Sequence, residues 1–273
     1  MGRIIGLFLL LFSLQTFAAD TTLHLQLIKT IEGSFSNFYA DNLENVYLIS
    51  SSANGLKKID SGGDSIATFN NIRYGNIYSL DVTNPLKILV FYKDFSTIVI
   101  LDRFLASRAT IDLRKLDITQ VKAVAQSYDG NIWLYDEGEG KIKKIDENNN
   151  VLLESSDLRL VFDDSLNPQK IIDNNGQLYL YDTRLGWIIF DYYGAFKKNL
   201  PFSHWQNVSV NDNVLWGRNE KQFYYASQND VDFHTLSGRF VFDDILKTGK
   251  ERNKLYVLSK VGLTIYNINP SSF

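Results

Sequence analysis

The sequence predicts an all-β chain closed into a six-bladed β-propeller of four-stranded antiparallel blades, and three observations carry that reading. A short strand of aromatic and branched residues recurs about every 42 residues. A second strand follows each copy after a short polar loop. The composition supplies 15 Tyr and 18 Phe against 4 Pro, which suits strands and tight turns better than helices.

The recurring strand occupies residues 45–49, 87–91, 131–135, 177–181, 213–216 and 254–258. Its corresponding positions 47, 89, 133, 179, 216 and 256 are spaced by 42, 44, 46, 37 and 40 residues. A turn signal precedes each copy: Asp41-Asn42, Asn84-Pro85, Asp129-Gly130, Asn174-Asn175-Gly176, Asn211-Asp212 and Gly249-Lys250. The second strands are 55–59, 97–101, 141–145, 186–190, 222–226 and 263–268. Four of them run directly into Asp60, Asp102, Asp146 and Asp191, which can cap the next turn by bonding to nearby backbone. A multi-stranded repeat of this length is a propeller blade. The last unit stops soon after its second strand, so residues 23–31, where Leu23, Leu25 and Leu27 alternate with polar residues, are predicted to complete it. That closure would remove the ring's free edge.

The amino terminus reads separately. Arg3, an apolar run at 4–12 and small residues at 16–18 form a secretory signal over residues 1–18, with cleavage after Ala18. The apolar run is shorter than the roughly twenty residues that a membrane-spanning helix needs. Residues 19–273 then make one propeller domain. The chain has no cysteine, which excludes a lipoprotein anchor, a disulfide framework and thiolate chemistry. The expected location is a bacterial periplasm. Net charge is −3 with both signs interspersed, and nucleic-acid binding needs the clustered Lys and Arg that this chain lacks.

The phrases DGNIWLYDEGEGKIKKID at 129–146 and DNLENVYLISSSANGLKKID at 41–60 resemble NHL-type propeller repeats, in which an acidic turn leads into a strand and the unit closes on Lys-x-Asp. The likeness is good in units one, three and four, and poor in two and five. It implies a disc of blades and names no activity.

No catalytic constellation is visible. The three histidines, His24, His204 and His234, are scattered, and no Gly-x-Ser-x-Gly elbow or phosphate-cradling glycine loop occurs. The acidic strings 136–139 and 163–164 lack EF-hand spacing and read as solvated loops. No cofactor is expected. The informative positions are the loops that a propeller gathers on one face. Phe35, Arg73, Tyr74, His204, Trp205 and Arg239 precede blades, while Phe95 and Arg184 lie inside them. Exposed Trp, Tyr and Arg are the residue types that dominate interaction hot spots. Residues 102–117, with Arg103, Arg108, Arg114 and Lys115, read as an inserted docking loop, and 153–167 as a second long loop.

The leading functional expectation is a non-catalytic platform in the cell envelope, a subunit of an outer-membrane assembly or secretion complex that docks a protein partner. It should show an exposed aromatic-and-Arg patch and a channel without convergent polar groups. A periplasmic carbohydrate or small-ligand binder is the alternative, with aromatic rings around a concave mouth. A calcium-dependent hydrolase or lyase is the second alternative.

Overall fold

The structure, a computed structural model, describes residues 21–22, 24–52, 55–162, 165–237 and 244–268. The secretory signal expected over residues 1–18 lies outside the described residues. Six antiparallel sheets form a six-bladed propeller. Blade one runs Phe35–Ala40, Val46–Ser50, Leu56–Ile59 and Ser65–Phe69. Blade two runs Ser79–Asp81, Ile88–Tyr92, Thr97–Leu101 and Ser107–Asp112. Blade three runs Val121–Gln126, Ile132–Asp136, Lys141–Ile145 and Val151–Glu154. Blade four runs Pro168–Asn174, Gln177–Asp182, Gly186–Asp191 and Phe196–Leu200. Blade five runs Gln206–Asn211, Val214–Arg218, Phe223–Ser227 and His234–Ser237. Blade six runs Ile245–Glu251, Lys254–Ser259, Gly262–Ile268 and, from the other end of the chain, Leu25–Glu32. From blade two round to blade one, the first strand of each sheet packs against the first strand of the next. These strands therefore line the channel.

The middle strands are continuous apolar runs because both of their faces are covered by neighbouring blades. Ile88–Tyr92 and Thr97–Leu101 are buried at every position. Trp133, Trp187 and Tyr179 are wholly buried in the same way, each contributing about 2–3 kcal/mol of apolar burial. The four aspartates at the ends of the third strands, the second of each repeat's pair in the sequence, do cap their turns. Asp102 accepts from the N–H groups of Phe104 and Ala106, Asp146 from Asn148 and Asn150, and Asp191 from Tyr193 and Ala195. Asp60 accepts from Gly63 and Asp64.

Three details differ from the sequence expectation. The closing strand is Leu25–Glu32, and a bulge between Leu27 and Lys29 breaks its alternation. Leu25 packs into the core between blades five and six and Ile31 into that between six and one, because the bulge turns every later side chain over; Leu27, before the bulge, is exposed. Residues 102–117 are no insertion. They hold the outer strand of blade two and one 3-10 turn, Leu113–Leu116, capped by Asp112. Residues 153–167 likewise hold the end of an outer strand and a single helical turn, Arg159–Phe162. An unexpected pairing also appears: Thr21–Thr22 lies parallel to the outer strand of blade five, just before the chain enters blade six.

Candidate interaction face and central channel

Antiparallel connectivity puts the blade-to-blade loops and the loops between second and third strands at one end of the disc. On blade two these are residues 70–78 and 93–96. Ile72 is 84 % exposed, Tyr78 45 % and Phe95 42 %, with Arg73 exposed beside them. The Arg73 guanidinium lies 5.4 Å from the Tyr74 ring and the Lys93 ammonium 4.8 Å from the Tyr78 ring. The two loops touch at Gly75, where a Cβ would sit 3.8 Å from the Phe95 ring. Tyr74 is anchored on Tyr92, centroids 5.6 Å apart, and Tyr78 stands edge-on to buried Phe91 at 5.8 Å. The patch is therefore an apolar and largely cationic surface on a packed base, with the exposed Asp94 carboxylate at its Gly75 edge.

The structure thus brings Arg73, Tyr74 and Phe95 together and distributes the other sequence candidates around the ring. Phe35 opens the first strand of blade one and packs, half-buried, against the core between blades six and one. Arg184 is exposed on blade four, where its guanidinium donates to the Ser165 carbonyl at 3.1 Å. His204 is exposed, its N–H bonded to the Thr183 carbonyl at 2.8 Å. Trp205 is only 3 % exposed. Its ring stacks between Phe202 at 5.7 Å and Tyr224 at 5.3 Å, and lies so close to Gly217 that an added Cβ would fall 2.7 Å from it. It packs blades four and five together and offers no ring to solvent. Arg239 lies outside the described residues. Ile72, Tyr78 and Lys93 were missed because nothing in the sequence marks an isolated loop residue as adjacent to a loop twenty positions on.

The channel has layers that the strand register defines. At the loop end, Asn37, Ser79, Ala123, Lys170 and Lys247 pair with Ile49, Phe91, Tyr135, Tyr181 and Leu258, equivalent positions of the second strands. Below them come Tyr39, Asp81, Ala125, Ile172, Ser209 and Gly249. Asn174, Asn211 and Glu251 form a third level. In blades one, three, four and six a register shift immediately precedes the first-layer residue. Alternate blades reach across to the next one. Asp81 accepts from the Gln126 N–H at 2.8 Å, and Lys170 donates to the Val208 carbonyl at 2.8 Å. Lys247 donates to the Phe38 carbonyl at 2.8 Å and to Asn37 Oδ1, with its ammonium 4.0 Å from the Tyr39 ring centroid.

Electrostatics polarise this channel. Burial pulls the Lys247 ammonium down to about 7, and the charge of Lys170 pushes the same way. The channel wall packed around Lys170 lowers it as well, although the residue is open to solvent, and Asp81 and Glu251 deeper in the ring oppose this. Burial raises Glu251 and lifts the Tyr39 phenol to about 12. Convergent polar groups are present, contrary to what a platform alone would require. Among the described residues no three His, Asp or Glu side chains come together to hold a metal, and no helix is long and apolar enough to cross a membrane.

No protein-family model matches the chain. No curated protein matches it in sequence. Solved structures do match in shape. A streptogramin B lyase superposes with TM-score 0.63 at 12 % identity, over 93 % of this chain and 100 % of that one. A catalytically inactive virginiamycin B lyase from Staphylococcus aureus with quinupristin gives 0.59 at 12 % identity, over 92 % and 90 %. The extracellular domain of a hybrid two-component system from B. thetaiotaomicron gives 0.55 at 15 % identity, over 84 % of this chain and 33 % of that one. At such identities the likeness is one of fold.

Proposed function

We propose that the protein is a non-catalytic interaction platform of the bacterial cell envelope, built from NHL-like repeats, that docks a protein partner on the loop face of blade two. The observation that carries this reading is the patch of Ile72, Arg73, Tyr78 and Phe95, exposed apolar and cationic groups with half-buried Lys93 beside them on a packed base. Such groups on a rigid support supply most of the energy of protein interfaces. The export signal over 1–18 supports the location. The test is capture of the tagged protein from cross-linked native envelopes, alongside an Ile72→Asp/Phe95→Asp variant. A stoichiometric envelope partner that the variant loses at least about tenfold supports the platform. Recovery of the protein alone, or equal recovery with the variant, removes it.

A second reading, a periplasmic small-ligand binder, is favoured by the polar channel mouth where Lys170 and Lys247 converge. It places the ligand on the axis of the ring, away from blade two.

A further inference from the structure

We propose that the loop-end mouth of the channel binds a small multivalent oxyanion between Lys170 and Lys247. This rests on the small-ligand reading and is independent of docking at blade two. The two lysines occupy the same layer, two blades apart in the ring, and are the only charged residues among its five aligned positions. The blade-two and blade-three positions are Ser79 and Ala123, short side chains that leave the lysine heads unopposed. An ammonium has three donors. Lys170 uses one of them on the Val208 carbonyl, and Lys247 uses two, on Asn37 and Phe38. Three donors are therefore left for a ligand. Among the described residues, no carboxylate lies within 4.0 Å of either head.

The surroundings fix the sign of the ligand. Asp81 and Glu251 are the carboxylates that Lys170 senses, and both stand in lower layers. The group that Lys247 senses is Lys170 itself, with the Tyr39 ring beneath it. The depression that Lys170 imposes on Lys247 is relieved by an anion placed between them. The carbonyls of Val208 and Phe38 anchor the two heads on different blades, which suits a ligand with charged oxygens on two sides. Sulfate or phosphate groups and dicarboxylates share that chemistry.

The test is calorimetric titration of the purified protein with sodium sulfate and with succinate, both predominantly dianions, at pH 6.5 and 8.5. We expect saturable binding of at least one anion, weakening about tenfold at the higher pH as Lys247 loses its proton. Lys170→Met and Lys247→Met should each weaken it about tenfold or more, while Lys260→Met, on an exposed loop, should not. Sulfate binding alone would assign a tetrahedral oxyanion, and succinate alone a dicarboxylate. Absence of saturation with both anions, or equal affinity in all three variants, overturns the proposal. Should either channel variant fail to fold, acetic anhydride labelling of the unaltered protein decides instead. Excess anion should slow modification of Lys247 relative to Lys260, and unchanged labelling overturns the proposal. A failure of this binding with envelope capture intact would leave the platform standing.

Discussion

Lys143 and Asp136 show how far a single residue's environment departs from its sequence neighbourhood. Their side chains are each 3 % exposed and meet at 2.9 Å, with Glu139 at 3.1 Å and Glu154 at 3.5 Å also on the ammonium. Burial opposes the charge on Lys143, and the acids outweigh it, so its pKa rises. Removing one partner of such a pair leaves the other charged and desolvated. Asp136→Ala leaves Lys143 with only the more exposed Glu139 and Glu154 and should cost about 2 kcal/mol in urea unfolding. The double change with Lys143→Met should recover most of that loss, and equal losses in both variants would assign the cost to packing. From the sequence, 136–139 reads as a solvated acidic loop. The loop is polar, but Asp136 is its strand-side end and sinks because Lys143 rises from the facing strand. Asp41 behaves similarly. It is read as a turn residue and proves to be a buried hub, accepting from the Leu43 and Asn45 N–H groups and from the Tyr47 hydroxyl. Short-range turn chemistry is legible in sequence, whereas burial depends on which distant side chain arrives.

Elements divide by how many faces they bury. The second and third strands of each blade were readable because neighbouring blades cover both sides, and the apolar signal is continuous. First and fourth strands are short, half-solvated or bulged, so their pattern weakens, and 102–117 passes for an insertion although it contains Ser107–Asp112. The channel lysines escaped notice for the same reason, since each sits just past a bulge in a first strand. Joints between elements carry their own constraints. Gly186 begins the third strand of blade four at φ 86°, and a Cβ there would fall 2.3 Å from the Leu200 carbonyl and 2.7 Å from the Phe202 nitrogen. Gly176, at φ 77° in the preceding turn, has open space around it. Gly186→Ala should cost about 3 kcal/mol or more and Gly176→Ala about 1 kcal/mol. Denaturant titration of the two variants checks this, and similar losses would mean that conformation, rather than the clash, sets the cost.

On the scale of the whole molecule, the ring is fastened at one place. Leu25–Glu32 pairs antiparallel with Gly262–Ile268, and Thr21–Thr22 runs along the outer strand of blade five before that. One short segment thus bridges two adjacent blades. The repeat spacing was enough to foresee six blades and the closing strand. The bridge to blade five was not foreseen, because two threonines carry no strand signal. Deleting residues 21–32 should expose the edge of Gly262–Ile268, lower Tm by about 10 °C and promote association through that edge. Scanning calorimetry and light scattering measure both effects, and adding the missing peptide in trans should reverse them. An unchanged Tm and a monomeric deletion variant would show that inter-blade packing alone holds the ring.

The same fastening imposes an order in time. Residues 25–32 are synthesised first, and the strand they pair with, 262–268, is made more than two hundred positions later. Until then the growing chain is an arc with two loose ends, however well its middle blades have formed. A chain interrupted before its last blade has nothing for its opening strand to grip. The ring closes only once residues 262–268 have been made, however early the other blades have folded.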